Sequence, residues 1–445
     1  MNRKITLLGA GLVGSLLAVV LRKRGYEVTV YERRPDMRTA TGPAGRSINL
    51  AMSVRGWAAL DLAGLRTDIE DLALPMPGRF LHQADGTTAF QPYGSKGEAI
   101  YSVSRGELNK RLMTLAEQEG VQIHFNKRCN HVDVRTNQLQ FEDGETVTAD
   151  LLIGADGAFS ALRTAYTHLD RVNASQMYID QGYKELVIPP AEDGSFRMQP
   201  TDALHIWPRR QFMMIALPNP DGSFTCTLFM PFEGEESFDA LQTPEAVTAF
   251  FQKHFPDAVP MMPTLLDDFF TNPTASLITT RIDPWHYQDK NLVIGDSAHA
   301  IVPFYGQGMN AGFEDVRVLS ELLDQYQDDW TTLLPEYNRL RKPNGDAVGA
   351  LALQNFIEMR DKVADPDFLA RKKREKELTL QFPDQFKSVY EMVSFSHTPY
   401  DTAIKCTEAQ DRLWEGIRHL STGDPKIQTH LADYDEAVKN LDFGV

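Results

Sequence analysis

The sequence predicts a mixed α/β fold: a unit built on a parallel sheet, interleaved with an antiparallel sheet and followed by a helical C-terminal region. Three observations predict it. A short apolar strand (Ile5-Thr6-Leu7-Leu8) stops at glycines, gives way to an apolar helix and then to a second strand (Val28-Thr29-Val30-Tyr31), which makes a β-α-β unit of about thirty residues. From Tyr178 to Phe232 alternating and aromatic residues are punctuated by turn signals at Asp193-Gly194 and Asp221-Gly222, the pattern of antiparallel strands. Near Leu292 the buried-strand pattern returns, and from Gly312 onward the chain is helical in character. A chain that leaves its first unit and comes back has discontinuous domains. The expected boundaries are 1–72, 98–176 and 276–330 for the parallel-sheet unit, 73–97 and 177–275 for the antiparallel sheet, and 331–445 for the helical region.

Bulk composition narrows the function. With 445 residues and 42% hydrophobic content, the chain can bury a large core, and about 150 residues per domain suggests about three units. A formal charge of -16 argues against nucleic-acid binding, which needs a concentrated basic face. The histidines form no His-Glu-x-x-His run, and Cys129, Cys226 and Cys406 are too scattered for a metal or redox pair, so neither metal nor disulfide framework is expected. No secretory signal is legible and no stretch reaches the roughly 18 apolar residues of a spanning helix, so a cytoplasmic protein without a membrane anchor is expected. Oligomeric state is not legible.

The first glycines carry chemistry. Gly9-Ala10-Gly11-Leu12-Val13-Gly14 matches Gly-x-Gly-x-x-Gly between a strand and a helix. One glycine permits the tight turn, one lets backbone amides approach a pyrophosphate, and one lets the helix pack on the strand. The pyrophosphate then sits at the helix N-terminus. Glu32 follows Gly14 by 18 residues, close to the spacing of about 20 expected for the carboxylate that receives the ribose hydroxyls. Arg33, beside it, is a candidate for the same nucleotide. This Rossmann-type fingerprint leaves FAD and NAD both open.

Two later motifs decide between them. Leu292-Val293-Ile294-Gly295-Asp296-Ser297-Ala298-His299 is a strand ending in Gly-Asp, followed by Pro303-Phe304-Tyr305-Gly306-Gln307-Gly308-Met309-Asn310 and a helix. Gly154-Ala155-Asp156-Gly157 opens a third such turn. Together and in this order, these motifs resemble the para-hydroxybenzoate hydroxylase class of FAD-dependent aromatic monooxygenases. The resemblance implies that Asp296 binds the ribityl chain of FAD and that the loop of Gln307, Gly308, Met309 and Asn310 lies under the flavin pyrimidine edge, where backbone amides favour the reduced anion. It associates Asp156 with both FAD and NADPH, and places Arg105 near the flavin. On its residues alone, the Asp156 motif has a capped helix start as its alternative, and Arg105 is as readily a surface arginine.

Within the class, the chain is similar to the kynurenine 3-monooxygenase family from Gly9 to about Tyr400. The residues that carry this likeness include Glu32-Arg33-Arg34-Pro35, Gly45-Arg46-Ser47-Ile48-Asn49-Leu50, Gln91-Pro92-Tyr93-Gly94, Gly182-Tyr183-Lys184-Glu185-Leu186 and Leu204-His205-Ile206-Trp207-Pro208. It implies that NADPH reduces FAD, that the reduced flavin captures O2, and that a C4a-hydroperoxide hydroxylates L-kynurenine to 3-hydroxykynurenine. No catalytic side chain is then needed. The substrate carboxylate needs a planar cation, which the resemblance assigns to Arg79, with Tyr93, Asn355 and Tyr390 as polar companions, while Phe304 and Tyr305 line the ring slot. A three-residue turn at Asp85–Thr87 would set Arg79 opposite Tyr93 on one face, and a two-residue turn would separate them. Asn355 falls on the apolar stripe of Val348, Leu351 and Met359 and must find a partner there. The eukaryotic members carry a C-terminal membrane anchor not expected here, and the family's Phe-His-Gly reads Phe304-Tyr305-Gly306. A hydroxylase of a phenolic acid remains the nearest rival. A halogenase lacks its Trp-x-Trp-x-Ile-Pro signature here, and a non-catalytic nucleotide-fold carrier would have no use for intact flavin motifs.

Overall fold

The computed structural model describes residues 4–39, 48–94, 97–358 and 366–441. Gly45-Arg46-Ser47, Met359 and the last four residues of the tail lie outside these segments.

The first sheet has six strands in the spatial order His286–Tyr287, Asn291–Val293, Leu151–Gly154, Lys4–Leu8, Glu27–Tyr31 and Gln122–His124. All neighbours are parallel except the edge strand His286–Tyr287, which runs antiparallel to Asn291–Val293. Its central strands are buried almost end to end, as a sheet covered on both faces requires. This order sets the strand before Gly9, the strand before Asp156 and the strand before Asp296 side by side and pointing the same way. Three motifs spread over the sequence therefore meet at the carboxyl ends of three neighbouring strands, where open α/β sheets bind their ligands.

The second sheet has seven strands, in the order Ala275–Asp283, Asn173–Ile188, Phe224–Pro231, Phe212–Pro218, Leu204–Arg209, Gly78–His82 and Thr88–Pro92. It is antiparallel as expected, except where Leu204–Arg209 pairs in parallel with Gly78–His82. That join is the seam between two separate excursions of the chain, which no hairpin connects. On one face, Trp207, Met214, Phe224, Cys226 and Leu228 pack against helices Pro244–His254 and Leu265–Thr271. The opposite face looks towards the flavin motifs.

Among the described residues, two three-stranded sheets complete the strands. Asn49–Met52, Ile100–Ser104 and Ala73–Met76 form one, and Thr146–Thr148, Gln138–Phe141 and Cys129–Asp133 the other. The C-terminal part is helical, as its pattern predicts: Gly308–Gln325, Trp330–Ile357, Pro366–Gln381, Val389–Ser394, Tyr400–Ile417 and Lys426–Lys439. In the basic run, Arg371 reaches Glu375 and Asp411, Arg374 reaches Glu377 and Thr422, and Lys372 pairs with Glu375; Lys372 and Lys373 are the exposed members. Among the described residues no helix is long and apolar enough to cross a membrane.

Candidate active site

At the nucleotide end the backbone does most of the shaping. Gly9 adopts φ +95, and a Cβ there would meet the Ala155 carbonyl oxygen at 2.5 Å. A Cβ on Gly14 would lie 2.0 Å from the Gly9 carbonyl oxygen, so the helix could not sit this close to the strand with any other residue. Gly11, by contrast, faces open space. It is the N-cap of helix Leu12–Lys23 and offers no side-chain hydrogen bond, and the first turn holds no acidic residue. The leading N–H groups, with the positive end of the helix dipole, are left for an anion. Glu32 is buried at the end of its strand. Its Oε2 accepts from the Ala10 N–H at 2.9 Å and its Oε1 from the Arg34 N–H and Nε. Burial opposes its charge, but Arg34 holds its pKa below the usual carboxylate value. Arg34 is thus the arginine on the carboxylate, and Arg33 is exposed.

The other two motifs close on the same turn. Cβ atoms on Gly295 and Gly312 would come 3.0 and 2.6 Å from the Val13 side chain, which brings the Gly-Asp turn and the second helix up to the fingerprint. Asp296 is exposed between buried neighbours Gly295 and Ser297. Asp156 is committed within the protein: Oδ2 accepts from the Ala161 N–H at 2.7 Å, and Oδ1 from Ser297 Oγ at 3.0 Å. It braces the start of helix Ala161–Tyr166 against the Gly-Asp turn, and burial raises its pKa. Helix Gly308–Gln325 starts without a side-chain cap or an acidic first turn, and Gly306 before it takes φ +69. Asn310 is a clamp: Oδ1 accepts from the Ser53 N–H, and Nδ2 donates to the carbonyls of Ala51 and Gly306. Gln307 is buried and accepts from Tyr400 Oη at 2.9 Å. Any contact that Asp156 or Asn310 makes to a nucleotide is therefore a matter of backbone and placement more than of a free side chain. Two uncapped helix N-termini, a free carboxylate at Asp296 and a glycine opening at Gly11 fit FAD.

At the other end, the hairpin register differs from expectation. The loop has three residues, but they are Ala84–Gly86: Gly86 takes φ +84 and Asp85 Oδ1 accepts from the Thr87 N–H, a turn closed by a left-handed glycine. Arg79 consequently faces Gln91, and Tyr93 lies opposite Pro77. The shift is two residues, so parity is preserved and Arg79 and Tyr93 share a face as diagonal neighbours. The Arg79 guanidinium carbon lies 5.4 Å from the Tyr93 ring centroid and 4.5 Å from that of Tyr390. Tyr390 stacks on Tyr93 at 5.8 Å and on Tyr305 at 5.7 Å. Arg79 Nε and Tyr93 Oη are both buried with no hydrogen-bond partner among the described residues. Burial pushes the phenols of Tyr93 and Tyr305 well above their usual pKa, so both stay protonated and able to donate.

Asn355 donates from Nδ2 to the Phe304 carbonyl at 2.7 Å, so it holds the turn Pro303–Tyr305 in place. Phe304 in turn lies between Phe356 and Phe229, with ring centroids at 4.6 and 5.0 Å. Contacts thus link Arg79, Tyr93, Tyr390 and Tyr305 in one chain of neighbours and Asn355 to Phe304, with Phe304 and Tyr305 packed in the same apolar cluster. A cleft of about 290 Å³ lined by Arg135, Tyr166, Arg171 and His286 opens near the opposite ends of the strands and shares no residue with these motifs.

Sequence reasoning missed three features. Arg105 is exposed at the first turn of helix Arg105–Gln118, and its charge acts on Glu185, a half-buried carboxylate that burial pushes up to about 6. Glu358, one turn beyond Asn355, accepts from Gln354 Nε2 at 3.2 Å; its spacing of three from Asn355 was the available signal. Most hidden is a buried ionic network. Glu314 receives Arg55 at 2.6 Å and Arg341 at 3.0 Å, while Asp315 receives Arg341 at 2.8 Å and His299 at 2.6 Å. Nothing in the spacing of these residues reveals it.

Comparison with known proteins agrees with this geometry. The family described as FAD binding domain matches residues 3–352. A kynurenine 3-monooxygenase of Christiangramia forsetii is 48% identical over 94% of this chain and 94% of its own. One from Dictyostelium discoideum is 45% identical over 97% of both. In fold, the chain is similar to a 2-methyl-3-hydroxypyridine-5-carboxylic acid oxygenase variant, with a TM-score of 0.68, 20% identity and coverage of 82% of this chain and 95% of that one. It is likewise similar to a Klebsiella pneumoniae HpxO variant complexed with FAD, with a TM-score of 0.67, 21% identity and coverage of 84% and 94%. With identity this high over nearly the whole length, and with the three motifs converging on one turn, the chain belongs to the kynurenine 3-monooxygenase family of FAD-binding proteins.

Proposed function

We propose that this protein hydroxylates the aromatic ring of L-kynurenine to give 3-hydroxykynurenine, using FAD as cofactor and NADPH and O2 as co-substrates. The observation that carries the substrate is the buried pair of unpartnered polar atoms, Arg79 Nε and Tyr93 Oη, on one face of the hairpin. A buried N–H of a cation that is left open is costly unless a ligand completes it. A carboxylate does so, meeting the guanidinium fork with two charge-assisted bonds and taking a third from the tyrosine.

Bound FAD, reduced by NADPH, supplies the activated oxygen. The chain supplies the rest. Arg79 and Tyr93 hold the amino-acid end. Phe304, fixed by Asn355 and flanked by Phe229 and Phe356, gives the aminophenyl ring an apolar wall and excludes water. The ring amino group donates electron density to the position ortho to it, which is where oxygen is delivered. Gly9, Gly11, Gly14, Glu32 and Asp296 would hold the cofactor, and the uncapped N–H groups of the helix that starts at Gly308 would favour the negative charge that reduction brings.

Anaerobic mixing with NADPH, with and without L-kynurenine, tests this reading. Faster bleaching of the flavin colour in the presence of L-kynurenine, followed by 3-hydroxykynurenine on admission of air, is the expected result. Bleaching indifferent to L-kynurenine but stimulated by a phenolic acid overturns the substrate.

A further inference from the structure

Arg55 lies far from the substrate residues in sequence, in helix Val54–Leu62, and is fully buried. Its guanidinium works in two directions. One nitrogen pairs with Glu314 Oε1 at 2.6 Å, in the helix that starts at the flavin loop. The others reach the short helix Val389–Ser394: Nε donates to the Val393 carbonyl at 3.0 Å, and the remaining nitrogen to the Met392 carbonyl at 3.4 Å and to the Thr398 carbonyl. The Met392 and Val393 carbonyls, in the last turn of the helix, lack intrahelical partners, and a cation there is favoured by both the hydrogen bonds and the dipole; Thr398 lies in the segment that follows. The guanidinium also lies 4.1 Å from the centre of the Tyr400 ring, whose hydroxyl donates to Gln307 of the flavin loop.

The short helix tied down in this way carries Tyr390. At six residues it is too short to hold its place by its own hydrogen bonds. We infer that Arg55 is a positioning residue: it clamps helix Val389–Ser394 to the flavin-loop helix and so sets Tyr390 across Arg79, linking recognition of the substrate carboxylate to the seat of the flavin. This rests on the substrate reading above, although the clamp itself does not. Arg55 touches neither cofactor nor substrate residue directly and acts through Tyr390.

The test uses the FAD-loaded enzyme. Arg55→Met strips Glu314 of a buried partner and so risks the fold; Arg55→Lys keeps a charge beside Glu314 but loses the fork that reaches two carbonyls at once. For Arg55→Lys, amide hydrogen exchange in residues 389–395 is expected to accelerate, and L-kynurenine affinity, read from the flavin absorbance change, to fall about tenfold with FAD content retained. Arg55→Lys combined with Tyr390→Ala is expected to bind no worse than Tyr390→Ala alone, since two residues acting in series do not add. Unchanged exchange in residues 389–395 overturns the clamp whatever the substrate, and additive losses overturn its action through Tyr390. If the unaltered enzyme gives no absorbance change with L-kynurenine, the substrate reading falls, and the exchange measurement still decides the clamp.

Discussion

Arg79, half-buried with its Nε shut away from solvent, and Arg55, fully buried, both lie near the flavin loop, and their surroundings are opposite. Arg55 has every direction filled, with Glu314 on one side and helix-end carbonyls on the other. Arg79 is faced by aromatic rings, and its Nε has no partner among the described residues. Desolvating a guanidinium costs several kcal/mol in either place. Where the protein itself offsets that cost, the charge is part of the frame; where it leaves the cost standing, the charge waits for a ligand. The contrast separates a structural cation from a binding one without reference to any relative.

The largest effect that sharpens this contrast is expected in the paired network. Arg341→Met strips partners from both Glu314 and Asp315 and should lower stability by about 3–5 kcal/mol, seen as a clear fall in melting temperature. A melting temperature within a degree of the parent breaks the contrast. Arg79→Met should do the converse, raising KM for L-kynurenine roughly a hundredfold, ~3 kcal/mol, while FAD content and melting temperature hold. An unaltered KM removes Arg79 from the site.

A third kind of buried group lies behind the Arg79 strand. His205 is buried between His82 and the Pro200 carbonyl, at 2.9 and 2.8 Å. Burial above all lowers its pKa from 6.5 to about 4. The unfolded chain therefore binds the extra proton between these two values. The stabilisation is complete above about pH 6.5 and drains away as pH falls towards 4, in all about 3 kcal/mol. Replacing His205 with Gln should flatten the acid side of the stability profile, and an unchanged profile below pH 6.5 would remove His205 as its cause. The smallest effect belongs to Asn355→Ala. With the Phe304 carbonyl released, KM should rise about fivefold, ~1 kcal/mol, with little change in melting temperature. A large stability loss with normal binding would assign Asn355 to the core instead.

The two ends of the site were unequally legible. The nucleotide end depends on backbone conformation, and glycine is almost alone in permitting it, so Gly9, Gly14, Gly295 and Gly306 announce themselves by identity and spacing. The hairpin was legible only in parity. Asp85 and Gly86 moved the turn by one position, and a three-residue loop still left Arg79 and Tyr93 on one face. Asn355 could be read as a polar group on an apolar stripe, but not as the support of Phe304, because its partner lies in another segment. Glu314, Asp315, Arg341 and Arg55 look like ordinary charged residues of surface helices until folding buries them together.

Taken alone, the sequence determined the mixed α/β class, the order in which the chain leaves and re-enters the parallel sheet, and the FAD-type motifs, because strand periodicity and glycine geometry are local. The tertiary structure decided which strands are neighbours, and hence that Gly11, Asp156 and Asp296 share one edge. It also decided which buried charges are paired and which is left open. Those properties depend on contacts between segments hundreds of residues apart, and burial changes the energy of a charge far more than any neighbour in the chain can.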